Sequence, residues 1–353
     1  MNHIRITLTV SLLAATVAPL RAQEAFRISG LAEAYYAYAF TRPADLELPA
    51  FVYNFKRAEE FNVNVAILKG SYETDRVRAH VGLMSGNYAQ YNLAAEPQEL
   101  RMIYQADAGI RLAQGLWLDA GVMPSHIGAE TVWTPDNLNL TRSLMADNSP
   151  YYETGAKLTW SGPAGLTVSA LVLNGWQNIR ETPGNRSKAL GTQVVYAPHE
   201  RVLINYSTFW GNEKPGSQPQ FRTFHDLYAI LLIGERLKVV AAADAGWERS
   251  ADGTSWNRWT AGSFQARGQL AEQWHLAGRA EWYSDPQSVL TSVQGRSLEA
   301  IGASANLDFS PADQALLRIE GKVLRNRTPV FPAADGRLSR LFPVLTASAA
   351  VHF

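Results

Sequence analysis

The sequence contains no cysteine. That excludes a disulfide scaffold, thiolate metal sites and thiol nucleophiles, and it suits an oxidising compartment where a free thiol is a liability. It has no excess of either charge, since 32 basic residues balance 32 acidic ones, so nothing in its electrostatics points to nucleic acid. Beyond the first two dozen residues there is no uninterrupted apolar run long enough to cross a bilayer as a helix. Catalytic signatures are missing too: no Gly-x-Ser-x-Gly elbow, no His-Glu-x-x-His, no Walker loop and no dinucleotide fingerprint. Ser125 and His126 are adjacent, so on a strand they would point to opposite faces and could not act as nucleophile and base. No enzymatic activity, metal or cofactor is expected.

What the sequence does have is aromatic residues and a leader. Ten Trp, 14 Tyr and 13 Phe accompany a slightly negative mean hydropathy. A soluble core of this size would need more apolar surface, whereas a barrel with a wet interior needs only one apolar face per strand. Met1–Arg5 is basic, 6–19 is largely apolar, and Leu20-Arg21-Ala22 offers a small residue ahead of Gln23. This is the layout of a secretory signal peptide over residues 1–22. Residues 23–353 then form the mature domain, and no sizeable globular segment stands before its first strand, which argues against a plugged, energy-coupled transporter.

Period-two alternation predicts sixteen strands, at about 26–40, 60–72, 77–84, 99–112, 116–123, 151–160, 166–176, 188–197, 201–210, 222–233, 237–248, 258–270, 273–283, 297–309, 315–327 and 342–353. In the second of these, Phe61, Val63, Val65 and Ile67 are expected to share the lipid-facing side. Short turns such as Glu73-Thr74-Asp75, Gln114-Gly115 and Gly234-Glu235-Arg236 alternate with longer, polar connections. The expected fold is an all-β transmembrane antiparallel barrel with short periplasmic turns and longer extracellular loops. Both faces are apolar at 166–173 and 227–233, so 14 or 18 strands stay open. Aromatics near the strand ends form two expected girdles: Tyr36, Tyr38, Trp176, Trp210, Trp247, Trp259, Trp282 and Phe342 at the loop end, and Trp117, Trp160, Tyr196, Trp274, Phe309 and Phe353 at the turn end. The last strand places Leu345, Ala347, Ala349, Val351 and Phe353 on one face, and a terminal Phe resembles the assembly signal of outer-membrane barrels.

The opposite faces carry charge. Candidate pore-lining residues are Arg78, Arg101, Asp107, Arg111, Asp119, Glu153, Lys157, Arg279, Glu281, Arg318, Glu320 and Lys322. Glu33, His80, Lys238, Asp244 and Arg267 are also expected to face inward. The longest connection, 124–150, contains Trp133, Leu138, Leu140, Leu144 and Met145, which argues against disorder. If it folds inward as a constriction, Glu130, Asp136, Arg142 and Asp147 are its charged residues, with Arg101, Arg111, Glu153 and Lys157 as expected wall partners.

Several segments resemble the OmpL-like β-barrel porins of bacterial outer membranes. They are Ile28-Ser29-Gly30-Leu31-Ala32-Glu33-Ala34-Tyr35-Tyr36, Glu60-Phe61-Asn62-Val63-Asn64, Met123-Pro124-Ser125-His126-Ile127-Gly128, the run from Leu140 to Lys157, and Leu173-Asn174-Gly175-Trp176-Gln177. The likeness is strongest over 26–180 and elsewhere rests on strand rhythm. It implies a porin of the cell outer membrane but brings no substrate; a sixteen-strand barrel normally leaves a water channel, so passive diffusion of small hydrophilic solutes or ions is the expected function. Its expected partners are outer-membrane lipids, the barrel-assembly machinery and those solutes, and a homo-oligomer is compatible with it. The alternative is a structural or adhesion barrel without significant transport.

Overall fold

The computed structural model describes residues 25–353 apart from Gln294. The leader expected at 1–22 lies outside the described residues. The strands are β1 (Phe26–Ala39), β2 (Phe61–Glu73), β3 (Val77–Ser85), β4 (Ile103–Ala113), β5 (Leu116–Pro124), β6 (Tyr152–Ser161), β7 (Leu166–Leu173), β8 (Ala189–His199) and β9 (Val202–Asn212). They continue as β10 (Phe221–Ile233), β11 (Leu237–Arg249), β12 (Trp256–Ala271), β13 (Trp274–Asp285), β14 (Leu298–Ala312), β15 (Ala315–Asn326), β16 (Phe331–Pro332), β17 (Leu338–Ser339) and β18 (Leu341–His352).

Sixteen of these close into one antiparallel barrel, and β16 with β17 forms a separate small hairpin in the last long connection. Closure is made by β18, which pairs with β15 on one side and with β1 on the other, from Leu31 opposite His352 to Ala39 opposite Val344. A closed ladder leaves no strand edge, so backbone groups are paired within a hydrocarbon layer. Seven short turns lie at one end and eight longer connections at the other, as the sequence predicts. The fourth strand starts at Ile103 rather than 99, because Gln98–Leu100 winds as a 3-10 turn behind Pro97.

Alternation decides what each face meets. In β15, Leu317, Ile319 and Val323 are exposed on the outside while Leu316, Arg318, Glu320, Lys322 and Leu324 are buried inside. β2 departs from its expected pattern. Glu33 pairs with Val65 but Ala34 pairs with Val63, so Asn64 is an extra, bulged residue. One inserted residue flips everything after it. Phe61 and Val63 face outward as expected, but Val65 and Ile67 turn inward and Lys69 goes with them.

The aromatic belts are correspondingly mixed. Tyr36, Tyr38, Trp210, Trp247 and Trp282 lie on the outer surface at the loop end. Trp160, Tyr196, Phe353 and a stacked Trp274–Phe309 pair (4.6 Å) lie there at the turn end. Trp117, Trp176, Trp259 and Phe342 are corrections, because they point inward. Trp117 lies under Arg78 (4.4 Å), Trp176 and Trp259 join Phe209 and Phe224, and Phe342 stacks on Phe331 (5.5 Å).

Candidate functional site

The connections 40–60 and 124–151 fold into the barrel, and Tyr88, Trp176 and Phe331 from three others pack inward beside them. The larger, between β5 and β6, leaves the wall at Pro124 and crosses first to β8 and β9. There the carbonyl of His126 accepts from Ser207 Oγ (2.6 Å) and Gln193 Nε2 (3.0 Å). The imidazole bonds to Glu153 through Nδ1 (2.8 Å) and to the Thr208 carbonyl through Nε2 (2.9 Å). Gly191 makes this approach feasible, since a Cβ there would stand 2.9 Å from the ring.

The loop then runs along β13, β14 and β15, the wall opposite its point of departure. Arg318 donates to the carbonyls of Thr134 (3.1 Å), Asn137 (3.1 Å) and Leu138 (2.8 Å) while holding Asp308 (2.8 Å). Asn306 accepts from Leu140 N (3.2 Å), and Glu320 accepts from Thr141 N and Thr141 Oγ1 (2.9 Å). Arg279 joins Glu320 (3.1 Å), Glu281 (3.4 Å) and Glu130 (3.8 Å). A short helix follows, and with α1 (Asn87–Asn92) it is one of two α-helices among the described residues. α2 (Leu144–Asp147) is capped by Ser143, whose Oγ accepts from Ala146 N (3.2 Å), and by Glu281, which accepts from Leu144 N (2.6 Å). Lys322 bridges Glu281 (3.2 Å) and the carbonyl of Arg142 (2.9 Å).

Apolar burial holds this loop and the charges set its register. Leu140 and Leu144 are fully buried, and burying such a side chain is worth about 1.5–3 kcal/mol. Buried ion pairs contribute little net, because desolvation offsets attraction, but deleting one partner costs about 3–5 kcal/mol. Glu320→Ala is therefore expected to loosen the loop while the barrel itself stays closed. Limited proteolysis of the folded protein should then cut between residues 131 and 144. A cleavage pattern unchanged from the parent would remove Glu320 from the list of anchors.

The second inward connection, residues 40–60, was not anticipated. Leu48, Phe51, Phe55 and Ala58 are buried against Leu144, Met145, Phe331 or Tyr35. Asn54 Nδ2 donates to Asp147 (3.0 Å), which ties the two loops together. Lys56 Nζ donates to the carbonyls of Leu48 (2.7 Å) and Pro49 (2.8 Å), and burial pushes its ammonium down to about 8 against the pull of Glu47, Asp147 and Asp45. Hydrogen bonds from Arg57 hold the Glu60 carboxyl below the usual range. The apolar run Leu48, Phe51, Val52 and Phe55 inside a polar connection was the signal available in the sequence.

Of the expected wall residues, Arg279, Glu281, Arg318, Glu320 and Lys322 meet in the anchoring network. Glu153 holds His126. Arg78 forms a two-point pair with Asp119 (Nε–Oδ1 2.6 Å), Asp107 bonds His80 (2.9 Å), and Lys157 sits opposite Asp119 on the next strand. Arg101 is a correction. It precedes β4 and donates to Glu96 O (2.9 Å) and Ala94 O (2.8 Å), so strand alternation does not reach it. Arg111 lies at the short-turn rim and bonds Asp75 O (3.2 Å). Neither touches the long loop, and of the four expected partners only Glu153 has a hydrogen bond to it. Within the loop, Glu130 sits beside Arg279, and Asp136 is exposed on the underside. Asp147 is buried, and so is Arg142, stacked on Tyr151 (4.1 Å).

A closed sixteen-strand barrel with a loop docked across its lumen defines the porin class of outer-membrane protein. The chain belongs to the family described as "Putative beta-barrel porin-2, OmpL-like", which matches residues 25–353. No curated protein matches it in sequence. Among solved structures it is similar to the anion-selective porin from Comamonas acidovorans, with a TM-score of 0.62 and 9% identity over 93% of this chain and 99% of that one. It is also similar to the trimer form of OmpT of Vibrio cholerae (0.59, 8% identity, 93% and 99%). A third is the outer membrane channel DcaP of Acinetobacter baumannii (0.59, 12% identity, 93% and 97%). Identities this low speak to the fold alone.

Proposed function

We propose that this protein is a non-enzymatic outer-membrane channel for passive diffusion of small hydrophilic solutes or ions. The observation that carries the reading is the long loop anchored by hydrogen bonds to charged and polar residues of the far wall, because a loop held across a wide barrel narrows its passage. Sixteen strands enclose a bore wider than side chains alone fill. The anion-selective porin, the DcaP channel and the OmpT trimer share the fold and so agree with a channel, and with a homo-oligomer, without naming a solute. Outer-membrane lipids would contact the exposed face of Leu317, Ile319, Val323 and their neighbours, and the barrel-assembly machinery would read the strand ending at Phe353.

The structural-barrel reading keeps one observation in its favour: the side chains of Arg279, Glu281, Glu320 and Asp308 have no solvent exposure, as a closed interior would require. Fractionation tests the shared premise. The mature protein is expected in the outer membrane, with a band that shifts on gels only after heating. Recovery in the soluble periplasm would end both readings.

A further inference from the structure

The charges in the short-turn half of the lumen are not equally accessible. Three inward acids on the strands there are engaged and covered: Asp119 by Arg78, Asp107 by His80 and Gln105, and Asp308 by Arg318 and Arg267. Their side chains are 4%, 4% and 0% exposed, whereas Arg78 and Arg267 keep 27% and 21% of theirs in the open. Lys69, Lys157 and Lys238 go further. All three face inward near the short-turn ends of β2, β6 and β11 and are half-buried, and no described carboxylate comes within 4.0 Å of their ammonium groups. On the inner wall the accessible acids are Glu73 at the rim, already beside His80 (3.2 Å), and Asp136 on the underside of the loop, which faces Lys238, while Asp75, Glu200, Glu235, Glu272 and Asp313 are exposed on the turns around the mouth.

Past the turns, a solute therefore meets more accessible ammonium and guanidinium groups than carboxylates on the inner wall, where most of the counter-charges lie covered behind them. Fields of one sign inside low-dielectric walls raise the local concentration of the opposite ion. Resting on the channel reading above, we infer that the short-turn vestibule concentrates anions, with Lys69, Lys157 and Lys238 as the residues that set the preference. The solutes it favours are small inorganic anions and small carboxylates.

Reversal potentials across planar bilayers test this with the mature protein in a potassium chloride gradient. The dilute side should be about 0.1 M, where screening reaches only about 10 Å. The parent channel is expected to favour chloride. The triple variant Lys69→Gln/Lys157→Gln/Lys238→Gln should lower the chloride-to-potassium permeability ratio by roughly three- to tenfold, and the corresponding triple Lys→Arg variant should retain it. If the triple glutamine variant fails to assemble, Lys238→Gln alone should shift the ratio in the same direction. Currents that prefer potassium in the parent, or a ratio unmoved by the glutamine variants, overturn the inference and leave the channel standing. Silent membranes overturn the channel reading and this inference with it.

Discussion

Replacing residues 131–144 with a short Gly-Ser linker is expected to raise single-channel conductance by about twofold or more and to flatten ion selectivity, since resistance is set by the narrowest cross-section. The replaced segment contains the Thr134, Asn137 and Leu138 carbonyls that Arg318 grips, and Thr141, which is held by Glu320 and Arg279. Without it, Arg318 still has Asp308 and Arg279 still has Glu281 and Glu320, so the wall keeps its internal pairs and the barrel should close as before. The readout is conductance of the linker variant beside the parent, with heat-shifted mobility confirming that both are folded. Unchanged conductance in a folded variant would place the narrow point elsewhere, and the residues 40–60 connection, linked to Asp147 through Asn54, would be the next to remove.

Phe353→Asp is expected to deplete the assembled protein, with degradation products in its place. The finished barrel should not be the sensitive stage. A charge on the lipid face near an interface costs only about 0–1 kcal/mol. Phe353 matters where the barrel closes: its N–H donates to Gly30 O (3.0 Å), its carbonyl accepts from Gly30 N (2.9 Å), and its ring covers Gly30 on the outer surface. A Cβ at position 30 would stand 2.5 Å from that ring, so Gly30→Val should disturb the same seam without altering the terminal residue. Quantifying the heat-modifiable band in outer-membrane fractions compares the two. Parent levels of Phe353→Asp would show that the ring is not needed for assembly, and parent levels of Gly30→Val would show the same of the seam.

Most of the architecture was legible in the sequence because a membrane barrel repeats one simple rule. Turn composition and period-two alternation gave the strand number and the order of short and long connections, and the inward network of Arg279, Glu281, Arg318, Glu320 and Lys322 follows from alternation alone. The rule fails where one residue is inserted or where a chain leaves the wall. Asn64 is the first case: nothing local marks it as bulged, so Lys69 falls on the wrong face and a lumen cation is missed. Arg101 is the second, because the 3-10 turn behind Pro97 ends the alternation that assigned it. Most of the loop's docking surface lies elsewhere than on the four expected partners, of which Glu153 alone bonds it, through His126. Neighbours in sequence, Arg101, Arg111, Glu153 and Lys157, were the natural guess, but the loop crosses the lumen to strands more than a hundred residues away. Long-range docking of that kind leaves no periodic trace.

Current through single molecules of the purified protein in a planar bilayer tests the central claim most directly. The account predicts stable, stepwise openings that persist across salts and voltages, with a conductance lower than that of the linker variant. Heat-modifiable, correctly folded protein that passes no current under any of these conditions would contradict it, and would leave a barrel closed by its own loops and charge network.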